Sequence, residues 1–410
     1  MLKNMRGVVR AAAVAVVLPL AACGDLLQVD SPGRIVDEDL ASKDAIPGMI
    51  VGMKYDLSQA VDATQEFLAL AAVELWHGGS YDWSDIPRGI ITEEDIGGEW
   101  NSPQQARWVA ETGVERIRDF LDAAEFGRSP AVAQAYVYAG YANRILGENF
   151  CSSVIDGGPE IPNTEHFTRA EGHFTQAITI GQAAGRADLV NAGYAGRASV
   201  RAYAGDWAGA ASDAAQVPSG FEYFAEIDTE MRNEIVYETH NRFEYTVWGT
   251  YMEAAPGDAR APWQIMYDDA GQIANGANGS TPHYQQRKYT SNSDDVALSK
   301  GTEMLMIRAE AELRINGAGG IAAAYGHMNA ARAEYGMAAL TPALDLPSAW
   351  AELRFERGAT LWLEGRRFGD LRRWYNEGAG SPAYDASLEG RATCMPISRA
   401  ERLSNPNLRG

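Results

Sequence analysis

The sequence is poor in cysteine, in positive charge and, past its first two dozen residues, in long apolar runs. Only three cysteines occur in 410 residues, and they form neither a CxxC pair nor a His/Cys spacing suited to zinc. The six histidines are scattered, with only His166 and His173 near one another, and there is no HExxH motif. The GxSxG nucleophile elbow, the P-loop and the dinucleotide fingerprint are also missing. Metallopeptidase, α/β-hydrolase and nucleotide chemistry therefore lose their usual sequence supports, and neither a cofactor nor a metal is expected. Lys and Arg number 35 against 55 Asp and Glu, a formal net charge of −20. So acidic a body repels a phosphate backbone, which argues against nucleic acid as a partner. Beyond the N-terminus no stretch reaches the roughly 18 apolar residues of a membrane-spanning helix.

What is present begins with that N-terminus. Lys3, Arg6 and Arg10 precede an apolar segment, residues 11–20, too short to span a bilayer. This is the pattern of a secretory signal peptide, assigned to residues 1–22. It runs into Leu20-Ala21-Ala22-Cys23, which resembles the bacterial lipobox and makes Cys23 the expected lipidation site. Acyl chains there would hold the protein to a membrane surface at about 0.8 kcal/mol per buried methylene, with residues 23–30 as anchor and tether. Cys151 and Cys394 remain in the mature body, and an even pair in an exported chain is a disulfide candidate.

Most of the chain reads as helix. Apolar residues recur at helical spacing over 47–76, and a second long helix is expected over 103–126. From Pro130 the pattern turns repetitive and alanine-rich. The run Ala195-Gly196-Arg197-Ala198, then Tyr203-Ala204-Gly205-Asp206, resembles a tetratricopeptide repeat, in which small residues let paired helices approach. Helix pairs are expected over about 130–218 and 301–374. Two regions lack that period: residues 77–102, and residues 219–300 with their glycine- and asparagine-rich run at 271–280. A short strand fits within 234–248. The expected fold is mainly α, a superhelical scaffold of tetratricopeptide-like pairs with a large irregular, loop-rich half in one domain over 31–410.

The C-terminal third carries a resemblance. Leu353-Arg354-Phe355-Glu356-Arg357, followed by Leu361-Trp362-Leu363-Glu364-Gly365-Arg366-Arg367-Phe368-Gly369-Asp370-Leu371-Arg372-Arg373-Trp374, resembles the signature of the SusD/RagB-like outer-membrane nutrient-binding lipoproteins. Met395-Pro396-Ile397-Ser398 and Asn405-Pro406-Asn407-Leu408 resemble the family's closing motif, and Val29-Asp30-Ser31-Pro32-Gly33-Arg34-Ile35 its opening. Gly358-Ala359-Thr360 departs from it, replacing a more polar run. Glu356, Glu364, Arg366, Asp370 and Arg373 stand at helical spacings that let opposite charges pair, which favours a structural role over an acid/base one.

The resemblance implies capture of a glycan or oligopeptide at the cell surface and its delivery to a SusC/RagA-like TonB-dependent transporter. It also implies an outer-membrane location, with only the lipid anchor touching the membrane. Sugars offer apolar ring faces rimmed by hydroxyls, so aromatic platforms beside polar groups suit them. The non-repeat regions supply Tyr81 and Trp83, then Trp248, Tyr251, Trp263, Tyr267 and Tyr284 as candidate ligand contacts. Each could instead be a packing aromatic. Asp294-Asp295 and Glu93-Glu94-Asp95 offer carboxylates for calcium, with solvated charge as the simpler reading. No catalytic residue stands out. A surface glycoside hydrolase and a protein-binding repeat scaffold are the alternatives to non-catalytic capture.

Overall fold

Small residues at close helical spacing decide how this chain stacks. The computed structural model describes residues 42–81, 83–228 and 230–409. The leader, Cys23 and the 29–35 motif lie outside them. The first helices are α1 (Ile46–Ala71), α2 (Gly97–Phe120), a single turn α3 (Ala123–Phe126) and α4 (Pro130–Asn149). They are followed by α5 (Thr164–Ala183), α6 (Ala187–Ala204) and α7 (Trp207–Ala214). After the irregular region with its short α8 (Glu234–Val236) come α9 (Gly301–Asn316), α10 (Ile321–Glu334), α11 (Leu346–Thr360), α12 (Arg367–Tyr375) and α13 (Arg399–Ser404). Each packs mainly on its neighbour: α1 on α2, α2 on α4, then α4 to α7 in series. The stack continues from α7 directly to α9 and α10, so the irregular region is looped out of it. The fold is mainly α and tetratricopeptide-like.

The close contacts need residues without bulk. Phe174 of α5 is fully buried between α4 and α6, where a Cβ on Gly196 would lie 2.2 Å from its Cζ and one on Gly140 2.5 Å from its Cε1. Where α6, α7 and α9 meet, the core is Ala195, Ala198, Ala202, Ala210 and Ala214 with Met304 and Ile307. Burial of so many small side chains brings the backbones together, and dispersion over the interface stabilises it.

Two helices end earlier than their apolar pattern indicates. α1 stops at Ala71 rather than near Trp76, because Val73 takes a positive φ of 54° and turns the chain into a strand. α2 begins at Gly97 and stops at Phe120. Leu121 is extended there, and the Asp122 carboxylate caps α3 by accepting from the Ala124 and Glu125 N–H groups.

Short antiparallel pairs dress the loop-rich half: β1 (Trp76–His77) with β5 (Tyr245–Thr246), and β2 (Ser152–Val154) with β3 (Glu160–Pro162). Likewise β4 (Glu222–Ala225) pairs with β8 (Val296–Lys300), and β6 (Trp263–Ile265) with β7 (Tyr284–Gln286). Within 234–248 only β5 is strand. The segment before it is α8 and a π turn, because Asn233 caps Val236 and starts a helix.

The charged C-terminal signature is a set of buried clamps. Arg366 Nη1 lies 2.7 Å from Glu303 of α9, and its Nη2 lies 3.1 Å from Glu148 of α4. Arg357 Nε reaches Asp370 at 2.7 Å, and Arg373 joins Asp370 to Glu310. Glu364 accepts from both Lys288 and Lys300 at 2.5 Å, and Glu356 from Arg260 at 2.6 Å, so these acids fasten the loop-rich half to the helices. The turn between α11 and α12 places Leu363 at φ 57° and Gly365 at φ 66°. A leucine is costly there, and it is held by Gln65 Nε2 and the Tyr289 hydroxyl donating to its carbonyl.

Candidate ligand-binding site

Thr246 organises the loop-rich half. β5 pairs with β1 on one side, and on the other the Val247 N–H donates to the Tyr284 carbonyl at 2.8 Å. The Thr246 hydroxyl donates to the Pro282 carbonyl at 2.9 Å and accepts from the N–H groups of Tyr284 and Trp248. One side chain thus ties two segments distant in sequence, residues 246–248 and 282–284. Ser80 N–H donates to Glu244 at 2.8 Å, which draws the first irregular loop against the second.

On the β6–β7 hairpin the register sets Trp263 opposite Gln286 and Ile265 opposite Tyr284, so Trp263 and Tyr284 share a face. Their rings stack with centroids 5.3 Å apart and planes 2° from parallel. Trp263 Nε1 donates to the Met252 carbonyl at 3.0 Å, which fixes the indole's orientation. Both rings are half-buried and leave an apolar surface partly open. Trp248, also half-buried, follows β5 by two residues.

The other sequence candidates go elsewhere. Tyr251 is covered by the Arg367 guanidinium, 3.7 Å above its ring, and its hydroxyl donates to the Gly358 carbonyl. Burial pushes its phenol well above the usual range. Trp83 meets Phe67 of α1 edge-on at 5.3 Å. Tyr81 is 66% exposed and lies under the guanidinium of Arg242, while Tyr267, 61% exposed, begins the long connection between β6 and β7. The structure therefore unites Trp263 and Tyr284, ties the Trp248 backbone to that of Tyr284 through the Thr246 hydroxyl, and gives Tyr251 and Trp83 packing partners. The acids considered for calcium have protein partners: Asp294 accepts from the Thr290 and Ser291 N–H groups, Asp295 from Ile227 N–H, and Glu93 and Glu94 pair with Arg402 and Arg399. Among the described residues no group of three or more His, Cys, Asp or Glu side chains is arranged to hold a metal.

Cys151 and Cys394 are joined by a disulfide with their Cα atoms 5.1 Å apart. Just beyond it lies a polar relay that sequence reasoning missed. Gln104 Nε2 donates to Ser153 Oγ at 3.1 Å, and Ser153 Oγ lies 2.6 Å from His166 Nε2. His166 Nδ1 lies 2.8 Å from Asn143 Oδ1, and Asn143 Nδ2 donates to Glu111 at 2.9 Å. The order Ser–His–Asn is that of a nucleophile and its base. Here, however, Ser153 and His166 are both fully buried, and burial with the Arg107 charge pushes the imidazole down to about 3. A serine sealed from solvent and engaged on both sides of its hydroxyl positions its neighbours instead of attacking a substrate. The signal for it was His166, Arg169 and His173 along one stretch of α5, all of which face Asn143 or Glu111 of other helices.

The profile of the SusD family matches residues 282–402. Solved structures match over nearly the whole chain. A SusD/RagB family protein of Bacteroides thetaiotaomicron aligns with TM-score 0.63 at 12% identity, over 87% of this chain and 95% of its own. A SusD superfamily protein of Bacteroides vulgatus aligns with TM-score 0.65 at 13% identity, over 90% and 98%. The chain has a SusD-like fold. A SusD-like carbohydrate binding protein of Bacteroides vulgatus also aligns, with TM-score 0.59 at 13% identity, over 81% of this chain and 83% of its own. No curated protein matches the sequence. The SusD-matched stretch holds the ion-paired clamps, except Glu148 and Arg260, and Tyr284 but leaves out Trp263 and Trp248. The stretch that matches the SusD profile and the candidate platform are thus written largely in different residues.

Proposed function

We propose that the protein is a non-catalytic, lipid-anchored cell-surface lipoprotein that captures a glycan and delivers it to a SusC/RagA-like TonB-dependent transporter in the outer membrane. The observation that carries the reading is the parallel Trp263–Tyr284 stack, oriented by the Met252 carbonyl and set on a hairpin pinned by Thr246. A flat, rigid aromatic surface matches the apolar face of a sugar ring, and its fixed orientation lowers the ordering cost of binding. An oligopeptide is the weaker nutrient candidate, because a stacked aromatic pair suits the face of a sugar ring more directly than an extended backbone. The likeness to a SusD-like carbohydrate binding protein supports the glycan. Among the described residues no helix is long and apolar enough to cross a membrane, which is compatible with attachment through Cys23.

The test is titration of the purified protein with neutral oligosaccharides and with oligopeptides, alongside a Trp263→Ala/Tyr284→Ala variant. Saturable saccharide binding that falls at least about tenfold in the variant, with helix content unchanged, is the expected result. Peptide binding alone, or saccharide binding that ignores the variant, contradicts the platform.

A further inference from the structure

On the helical half, α2, α5 and the β2–β3 turn enclose two adjoining depressions of about 420 and 540 Å³. Arg107, Trp108 and Asp156 line both, and neither takes any residue from the β6–β7 hairpin. Each volume falls in the range of small-ligand sites. Trp108 is the ridge between them. Although it lies mid-helix in a well-packed region, 49% of it is exposed, an unusual placement for an indole.

The polar walls on either side of Trp108 are set in advance by the buried relay. Its hydrogen bonds run one way, from Gln104 through Ser153, His166 and Asn143 to Glu111. Gln104 lines the first depression and Glu111 the second, so one sealed chain orients both. Arg107 adds to this, donating from Nε to Gln104 and from Nη2 to Asp156 at 2.7 Å. The turn carrying Asp156 is held from behind by the Cys151–Cys394 disulfide and by Asn405 and Asn407, which donate to the Gly158 and Gly157 carbonyls. A rigid aromatic between pre-oriented polar groups on a helix is the construction of a binding site.

The charge of the lining selects the ligand. Four carboxylates (Glu111, Glu115, Asp156 and Glu401) face two guanidiniums, Arg107 and Arg169, which disfavours an anion. Each carboxylate already has a partner. Glu111 is bonded by Arg107, Asn143, Arg169 and His173, Asp156 by Arg107, Glu115 by Arg118 and Glu401 by Asn405. A cation would have to displace these pairs. A neutral polyhydroxylated chain would displace none, and would meet an indole face with hydroxyl-binding groups to either side. We infer that the cleft around Trp108 is a second saccharide-binding site, separate from the hairpin platform, which holds a neutral sugar chain across the Trp108 ridge. The inference rests on the reading of the protein as a glycan binder.

The experiment is calorimetric titration of the full chain with neutral hexasaccharides of β-linked glucose, xylose or mannose and of α-linked glucose. Wild type, Trp108→Ala, Gln104→Ala and the Trp263→Ala/Tyr284→Ala variant are compared, each checked for helix content. Trp108 is half-exposed and Gln104 partly so, and neither change empties the core. The expected result is two classes of site in wild type. Trp108→Ala should lose one of them by about tenfold or more, Gln104→Ala should weaken the same class, and the hairpin variant should lose only the other. If Trp108→Ala and Gln104→Ala bind with unchanged stoichiometry and affinity while the hairpin variant does not bind, the second site is refuted and the proposed function stands. If no hexasaccharide binds wild type, both fall. Loss of a co-purifying outer-membrane protein from Trp108→Ala, with saccharide binding unchanged, would make the cleft a protein-contact surface and refute the inference.

Discussion

Arg366 is 3% exposed and stands between Glu148, Glu303 and Ser199. Its replacement by methionine would leave buried Glu303 without its cation and Glu148 with only Arg144, 3.6 Å away, at a cost of about 3–5 kcal/mol, read as a large fall in the denaturation midpoint. Glu310 gives the matching pH dependence. Burial works against its charge, but Arg373 and Arg314 outweigh it and hold the carboxyl down at about 2. A depressed folded pKa contributes stability that is present above the unfolded value and lost as pH falls through the folded one. Acid unfolding monitored by circular dichroism should therefore lose this contribution between about pH 4.5 and 2, and Glu310→Gln should flatten the curve in that window. Glu74 runs the other way, since burial pushes it up to about 8 against the pull of Arg367 and the Leu363 N–H. Its contribution is full below the unfolded value and declines as pH rises toward 8, so Glu74→Gln should reduce the loss of stability between about pH 4.5 and 8. That Glu356, Glu364, Arg366, Asp370 and Arg373 are structural was legible from their helical spacing. The partners of Glu364 and Glu356 were not, because Lys288, Lys300 and Arg260 lie some 60 to 100 residues away in segments without periodicity.

The helices were the most legible elements. α6 begins and ends where its small-residue pattern does, because Gly205 takes a left-handed C-cap and Asp206 caps α7. The failures have local causes: Val73 and Leu121 leave helical geometry in the middle of apolar runs. The stacking itself turns on Phe174 fitting beneath Gly196. Gly196→Ala should cost about 1–3 kcal/mol despite alanine's better helix propensity, measurable as a lowered urea midpoint with an unchanged slope. The hairpin was not legible. Which two of seven aromatics stack depends on the β6–β7 register and on one threonine hydroxyl, and neither leaves a periodic trace.

For the whole molecule, the disulfide closes a loop of 243 residues and joins the hairpin after α4 to the C-terminal segment. In the chain-entropy model its removal costs on the order of 4–5 kcal/mol, so a Cys151→Ser/Cys394→Ser variant should unfold at markedly lower denaturant than the oxidised protein. The helical stack and the looped-out half are fastened by Glu356 and Glu364, which lets one scaffold present an irregular surface rigidly. The central claim is that this surface captures sugar without altering it. The most direct measurement is incubation of the purified protein with a neutral polysaccharide, following retention and the appearance of new reducing ends together. Saturable retention with no new reducing ends is the predicted result. Shortened oligosaccharides that accumulate in proportion to the protein, and disappear with Trp263→Ala/Tyr284→Ala, would contradict it.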